Sequence, residues 1–224
     1  VLTTGDELRE AGDSLKPGEI TNTNRYTLLA ALAGAGAIGL DAGVARDELA
    51  ALTERLEEAA DADLVLTTGG VSMGAYDLVR SLLEERDAVD FWQVALRPGK
   101  PLLFGSFRGV PLIGLPGNPV SALVGFELFV KPALRRMQGR ADPGPRLLPA
   151  TSEERLSGIA GLEQYLRGVA HRASDSLLVR LTGNQGSHVL RSMAEANCLV
   201  RVPPGEGELP AGSAVEVIPL APLD

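Results

Sequence analysis

The chain is short of cysteine, aromatic residues and histidine, and each shortage argues against a class of protein. Cys198 is the only cysteine in 224 residues, so an internal disulfide is impossible and a cytoplasmic location is expected. Aromatic residues make up 4% of the chain, too few for the stacking surfaces that bind single-stranded nucleic acid. His171 and His188 are the only histidines, and two histidines do not make a zinc site by themselves.

Long apolar runs and an excess of positive charge are also missing. No run approaches the roughly 18 consecutive apolar residues that cross a membrane, and no signal peptide is visible. The formal net charge of −8 argues against a nucleic acid or an anionic membrane surface as a partner. Because apolar residues still make up 45% of the chain, we expect a folded core with neither of these partners.

The first part of the chain, residues 1–140, alternates short apolar runs with helical patterns. This alternation predicts a three-layer α/β/α domain with a mostly parallel sheet. We expect strands at 1–3, 37–40, 64–67, 91–96, 101–107 and 110–115, and helices at 23–35, 47–60, 77–85 and 120–137. Since the chain begins in what looks like a strand, we expect sequence upstream of Val1; the alternative is a short natural terminus.

A Gly- and Pro-rich stretch at 139–145 marks the predicted domain boundary. Residues 146–224 then show short strand patterns separated by turn signals, which predicts a small all-β barrel or sandwich domain. The strands are expected at 164–170, 177–181, 189–193, 199–202 and 215–220.

Four unusual loops follow predicted strands, and they begin at Thr3, Thr68, Arg97 and Pro116. Ligands of open α/β sheets bind beyond the carboxyl ends of the strands. Because parallel strands end at the same edge, the first, second and fourth loops are expected to lie close together. Each loop taken alone also has a purely structural interpretation as a rigid turn.

The fourth loop is the most informative, because it joins an apolar strand to an apolar helix through Pro116-Gly117-Asn118-Pro119. Pro119 suits the first helical position and Asn118 suits the cap before it. Such a helix start presents backbone N–H groups and a positive dipole end to an anion such as phosphate. The hydroxyl groups of Thr4, Ser72 and Ser121 can donate further hydrogen bonds to anionic oxygens.

Charged side chains accompany these loops. Arg97 and Lys100 stand in a stiff Pro-Gly turn, as an oxyanion site would need, although a solvated turn is the alternative. Four acids near the other loops, Asp6, Glu7, Asp47 and Asp77, would repel a phosphate unless a hard cation such as Mg²⁺ lay between them. Their simpler interpretation is as helix caps and first-turn acids.

The loops together resemble the molybdopterin molybdenumtransferase family, which includes the E-domain of gephyrin. The resemblance rests on Thr4-Gly5-Asp6-Glu7-Leu8, on Gly69-Gly70-Val71-Ser72-Met73-Gly74 with Asp77, on Pro98-Gly99-Lys100-Pro101 and on the segment from Gly114 to Ala122. It covers essentially the whole chain, including the spacing of Asn22 and Asn24. It implies a Mg²⁺-dependent transferase that takes adenylylated molybdopterin and molybdate, inserts molybdenum and releases AMP.

The resemblance also assigns roles to residues. It implies catalytic roles for Asp6, Glu7, Asp47 and Asp77, with Asp47 and Asp77 as Mg²⁺ ligands. The substrate-binding residues would be Thr4, Gly5, Gly69, Gly70, Ser72, Pro116, Gly117, Asn118 and Pro119. The molybdate-binding residues would be Arg97, Lys100, Ser121 and Arg167.

Family members carry further upstream domains that help dimerise the protein, so a homodimer is implied for the full-length protein. One alternative is molybdopterin adenylylation on the same α/β fold, against which the two Pro-Gly loops and the β tail argue. Another is a non-catalytic scaffold or peptide-binding module of the gephyrin type.

Overall fold

The computed structural model describes residues 1–69, 75–84, 89–173, 175–205 and 207–223. Those residues form two compact units. The first unit comprises Val1–Val94 and Pro101–Pro143, and the second comprises Ala95–Lys100 and Gly144–Asp224. Within the described ranges, no helix is both long enough and apolar enough to cross a membrane.

The first unit contains a six-stranded sheet. The strands of this unit are β1 (Leu2–Thr4), β2 (Leu8–Arg9), β3 (Ile20–Thr21), β4 (Val44–Ala45), β5 (Val65–Gly69), β6 (Val89–Gln93), β8 (Pro101–Phe107) and β9 (Val110–Pro116), whereas β7 (Leu96–Arg97) belongs to the second unit. Six of the eight form the large sheet. The strand order is β4-β1-β5-β9-β8-β6, and β2 pairs separately with β3. The pairs β1–β4, β1–β5 and β5–β9 are parallel, and β8 and β6 continue the sheet in antiparallel fashion.

Helices cover both faces of this sheet. They are α1 (Thr23–Gly34), α2 (Leu49–Glu58), α3 (Ala75–Glu84) and α4 (Pro119–Gly125), which continues through a π-helical segment, Phe126–Val130, into α5 (Lys131–Met137). Leu52 and Leu56 of α2 pack with Val79 of α3 in one buried core. Leu28 of α1 and Phe126 pack in a second core, so the predicted three-layer arrangement is confirmed.

The parallel pairing brings three of the strand ends together. In register, Thr4 of β1 pairs with Gly69 of β5, and Gly69 pairs with Pro116 of β9. The first, second and fourth loops predicted from the sequence therefore start at one edge of the sheet, from adjacent strands.

The second unit is a small closed β-barrel with one short helix. Its elements are β7, β10 (Leu148–Ser152), β11 (Leu156–Ser157), β12 (Glu163–Ala173), β13 (Ser176–Leu181), α6 (Leu190–Glu195), β14 (Cys198–Val202), β15 (Glu208–Leu209) and β16 (Ala214–Pro219). The order β13-β10-β16-β14-β12 is closed by pairing of β12 with β13. Val179, Val200 and Val217 fill its interior, and the predicted small β domain is confirmed.

Three predicted strands differ from the observed ones. Residues 37–40 form no strand, and Ile38 is 91% exposed, because Val44–Ala45 takes the position beside β1. Residues 189–193 begin helix α6 instead, which places buried Ser192 against Arg167. The expected strand 91–96 is divided, since β6 ends at Gln93 and Leu96–Arg97 pairs with β12 of the barrel.

Candidate functional site

A cleft of about 630 Å³ opens at the sheet edge where β1, β5 and β9 end. It is lined by Thr3, Thr4, Glu7, Leu8, Ile20, Thr21, Asn22, Thr23, Asn24, Thr68, Gly69, Gly117, Asn118 and Pro119. All of these residues belong to the first unit. The lining is mainly short polar side chains and glycines, which suits a ligand held by hydrogen bonds to the backbone and to hydroxyl groups.

Position 5, just after β1, requires glycine because of its backbone conformation and because a carboxylate lies close to it. Its φ of +147° is one that other residues rarely adopt. A Cβ atom at Gly5 would lie 2.6 Å from Oε2 of Glu7. The Glu7 side chain therefore folds back over the Gly5 backbone, and Glu7 also lines the cleft.

Asp6, Glu7 and Asp47 form an acidic cluster beside the cleft. The Asp47 backbone N–H donates to Oδ1 of Asp6 over 3.4 Å. Burial raises the pKa of the Asp47 carboxyl, and the charges of Asp6 and Glu7 raise it further, against a backbone hydrogen bond that lowers it. Oδ1 of Asp47 is buried and has no hydrogen-bond partner among the residues described. The negative charge of Asp47 is thus disfavoured by burial and by its acidic neighbours.

This disfavoured charge fits a bound cation, but the cluster is not by itself a closed metal site. In the part of the chain that the structure describes, no three His, Cys, Asp or Glu side chains are grouped closely enough to hold a metal ion. The backbone of Asp77 lies in α3, and its side chain lies outside the description. The Asp47–Asp77 magnesium site therefore stays a prediction, to which the unpaired oxygen of Asp47 is suited.

The loop after β9 leads into a helix as predicted. Asn118 occupies the N-cap position and Pro119 the start of α4, and the Ala122 N–H donates to the Asn118 carbonyl over 2.9 Å. Ser121 lies in the first turn and is 4% exposed. Because Gly117, Asn118 and Pro119 line the cleft, the start of this helix borders it.

Two asparagines at the start of α1 connect the loops, and sequence reasoning gave them no role. Asn24 Nδ2 donates to Thr68 Oγ1 at 2.9 Å and to the Gly117 carbonyl at 2.8 Å. Asn22 Nδ2 donates to Thr3 Oγ1 at 2.8 Å, and Asn22 also caps the helix. The sequence feature that could have indicated a role is the pair Asn22 and Asn24 at the start of an apolar helix. The family resemblance includes their spacing.

The second unit holds three of the four residues predicted to bind molybdate. Arg97 of β7 pairs in register with Gln164 of the parallel strand β12, and Lys100 follows β7. Arg167 lies further along β12 and is fully buried. Arg97, the last residue of β7, is exposed, and so is Lys100, which follows the strand. Ser121, the fourth residue, belongs to the first unit.

Arg167 is held in an unusual way for a buried cation. Its Nε donates to Ser192 Oγ over 3.1 Å and its Nη2 donates to the Gly186 carbonyl over 3.3 Å. Nη1 is buried without a partner among the described residues. Burial lowers the pKa of the Arg167 guanidinium to about 10, so the group still carries its charge at neutral pH.

Comparisons with known proteins agree with this architecture. A family model described as a probable molybdopterin binding domain matches residues 1–136, and one described as the MoeA C-terminal region, domain IV, matches residues 149–220. The chain belongs to the molybdopterin molybdenumtransferase family. The cleft and the acidic cluster both lie within the residues that the probable molybdopterin binding domain matches.

Several molybdopterin molybdenumtransferases match nearly the whole of this chain. Molybdopterin molybdenumtransferase 2 of Mycobacterium tuberculosis is 38% identical over 97% of this chain and 55% of its own length. The Haemophilus influenzae enzyme of that name is 36% identical over 98% of this chain and 55% of its own. The solved molybdopterin biosynthesis MoeA protein of Pyrococcus horikoshii aligns with a TM-score of 0.80 at 32% identity, over 99% of this chain and 54% of its own. The chain therefore spans about half the length of these relatives.

Within this molybdopterin molybdenumtransferase fold, the structure brings several of the predicted site residues to the cleft. Those lining it are Thr4, Glu7, Gly69, Gly117, Asn118 and Pro119. Gly5, Asp6 and Asp47 lie beside them, and Pro116 ends β9 with its carbonyl accepting from Thr68 Oγ1. Gly70 and Ser72 lie outside the described residues.

Proposed function

We propose that this chain forms the molybdopterin-binding and C-terminal parts of a transferase that completes the molybdenum cofactor. The proposed reaction inserts molybdenum from molybdate into adenylylated molybdopterin and releases AMP. The observation that carries the proposal is the cleft at the joined ends of β1, β5 and β9, within a chain of this family. Each strand end supplies residues that suit one part of such a substrate.

The phosphate groups are proposed to lie against the loop after β9. At the start of α4, first-turn N–H groups have no partner within the helix, and Pro119 fixes the backbone there. Gly69 and Gly117, which also line the cleft, have no side chains to keep a phosphate from the backbone. The neighbouring Ser121 hydroxyl can donate to an anionic oxygen, although its part in molybdate binding remains a prediction.

The acidic cluster is proposed to hold Mg²⁺ near the phosphates. Asp47, with its unpaired oxygen, and Asp77 would be the ligands, while Asp6 and Glu7 would add negative charge around them. When bound, Mg²⁺ would neutralise the repulsion between carboxylates and phosphates and polarise the phosphate oxygens. Without a cation the cluster would repel the substrate that the helix start attracts.

Molybdate is proposed to bind the cationic side chains of the second unit. Arg97 and Lys100 are exposed and Arg167 presents a buried guanidinium nitrogen without a partner among the described residues. An oxyanion could take the remaining hydrogen bond of Arg167, and a charge-assisted bond of this kind is stronger than a neutral one. The whole protein is further proposed to act as a homodimer in the cytoplasm.

Release of AMP by the full-length protein tests this function. Purified protein would be incubated with adenylylated molybdopterin, molybdate and Mg²⁺. We expect AMP and molybdenum-loaded cofactor in equal amounts, and a loss of roughly 10- to 100-fold in Asp47→Asn. Asp61→Asn, the same change at an exposed site, should leave the rate unchanged.

Two results would contradict the proposal. Formation of adenylylated molybdopterin from ATP, without its cleavage, would identify an adenylyltransferase instead. An Asp47→Asn protein that is as active as the Asp61→Asn protein would remove Asp47 from the reaction.

A further inference from the structure

The side chain of Asn24 is the buried polar group of the cleft that the proposed function leaves unexplained. Asn24 is the second residue of α1, is only 8% exposed, and lines the cleft. Its partners Thr68 and Gly117 line the same cleft, at the ends of β5 and β9. The amide therefore lies where a bound substrate would contact two of the three converging loops.

The orientation of this amide is fixed by its partners. The Gly117 carbonyl can only accept a hydrogen bond, so the NH₂ group of Asn24 must face it. The Thr68 hydroxyl donates its own proton to the Pro116 carbonyl at 2.9 Å, so it too accepts from Asn24. Both amide hydrogens are thereby used, and Oδ1 points away from both acceptors.

Oδ1 of Asn24 is left buried with no hydrogen-bond partner among the described residues. The side chain of Asn22, two residues earlier, has hydrogen-bond partners for both its nitrogen and its oxygen. Its Nδ2 also donates to a buried threonine hydroxyl, but its Oδ1 accepts the Arg25 backbone N–H at 3.4 Å. Most buried acceptors in folded proteins have such a partner, so an unpaired one in a residue that lines a cleft points to a ligand. Oδ1 is closed to solvent in this structure, so a ligand reaches it through a small shift of the Asn24 side chain.

We propose that Asn24 Oδ1 accepts a hydrogen bond from an N–H or O–H group of the substrate. This inference rests on the proposed function and adds to it the orientation of the bound molecule. Ionised phosphate oxygens carry no proton to donate, so they cannot satisfy this oxygen. The part of the substrate at Asn24 is therefore a ring N–H, an amino group or a sugar hydroxyl, and the phosphates lie towards α4.

Ligands that lack one donor at a time test this directly. From the nucleotide half, AMP would be compared with its 2′-deoxy and 3′-deoxy forms and with purine riboside monophosphate, which lacks the amino group. From the pterin half, 6-hydroxymethylpterin would be compared with its 2-desamino form, which lacks the amino group, and with its N3-methyl form, which lacks the ring N–H. Dissociation constants would be measured by calorimetry for the wild-type chain, Asn24→Ala and Thr68→Val.

One of these donor deletions should weaken binding to the wild-type chain about tenfold, the effect of one hydrogen bond. The same deletion should change binding to Asn24→Ala by less than about twofold, because the acceptor is already gone. Thr68→Val disturbs the same hydrogen-bond network but keeps Asn24 Oδ1. It should therefore still bind the ligand with the donor about tenfold more tightly than the ligand without it. The half of the substrate that shows the effect identifies the source of the donor.

The inference is overturned if no deletion shows a loss that depends on Asn24, or if none of these ligands binds. Should Asn24→Ala fail to fold, a crystal structure of the wild-type chain with the tightest ligand decides the question. A donor atom within about 3.2 Å of Oδ1 supports the inference, and a phosphate oxygen or no ligand atom there contradicts it. If the protein releases AMP but no donor deletion depends on Asn24, the proposed function stands and this inference fails. If a donor deletion depends on Asn24 but no AMP is released, only the Asn24 contact stands.

Discussion

Replacing Thr68 by valine should measure how strongly the cleft loops are tied together. The change keeps the shape of the side chain but removes the hydroxyl group that accepts from Asn24 and donates to Pro116, both at 2.9 Å. The Pro116 carbonyl loses this partner, while Asn24 Nδ2 keeps only Gly117. Leaving a buried polar group unpaired costs about 1–3 kcal/mol, and valine recovers part of this through its added methyl group. We expect a net loss of about 1–3 kcal/mol for the first unit.

The measurement is urea unfolding followed by tryptophan fluorescence. Trp92 is the only tryptophan and belongs to the first unit, so its signal reports on that unit. Thr53→Val makes the same chemical change at a partly exposed threonine whose hydroxyl donates to the Leu49 carbonyl at 2.7 Å in contact with solvent. It should cost no more than about 0.5 kcal/mol. If the two variants lose equal stability, the hydrogen bonds through Thr68 do not hold the loops.

Three further predictions concern charge and packing. Asp47→Asn removes a charge that burial disfavours and that Asp6 and Glu7 repel, so it should raise stability at neutral pH without Mg²⁺. Because the pKa of Asp47 is raised, this gain in stability should shrink on acidification, and urea midpoints at several pH values would show it. The hydrogen bond from Arg201 holds the pKa of Glu163 below its usual 4.5. Ionised Glu163 therefore stabilises the barrel above that pH, and this stabilisation is lost on acidification. Glu163→Gln should abolish this part of the pH dependence of the melting temperature. Gly168→Ala would place a Cβ 2.8 Å from Val200 Cγ2 and should lower the stability of the barrel by about 1–3 kcal/mol, as measured by hydrogen exchange. Gly205→Ala, whose Cβ would meet no described atom within 4 Å, should leave the stability nearly unchanged.

The alternation of strand and helix patterns was sufficient to predict the layers of the first unit. Apolar runs such as Pro101–Phe107 are confirmed as strands because burial on both faces leaves a continuous apolar signal. The same rule was wrong for Ile38 and Leu40, which are exposed at 91% and 62%. Local composition does not show whether a neighbouring strand is available, and here β4 fills that position.

The candidate site was predictable where its geometry is local or follows from parallel strands ending at one edge, but its side-chain contacts were not. Asn118 and Pro119 occupy the N-cap and first positions of α4, as their order indicates, although the Asn118 side chain makes no cap hydrogen bond. The hydrogen bond from Asn24 to Gly117 joins residues 93 positions apart, and no spacing rule predicts it. The burial of Arg167 likewise depends on the loop at Gly186 and on Ser192 of α6, a segment whose sequence favoured a strand.

The position of bound AMP tests the central claim most directly, since the claim is that the joined ends of β1, β5 and β9 form the substrate site. A crystal structure of the chain with AMP and Mg²⁺ would locate the phosphate. We predict phosphate oxygens within hydrogen-bond distance of backbone N–H groups between Gly117 and Ser121, with the cation at Asp47. A nucleotide bound outside the cleft, with the loop after β9 unoccupied, would contradict the account.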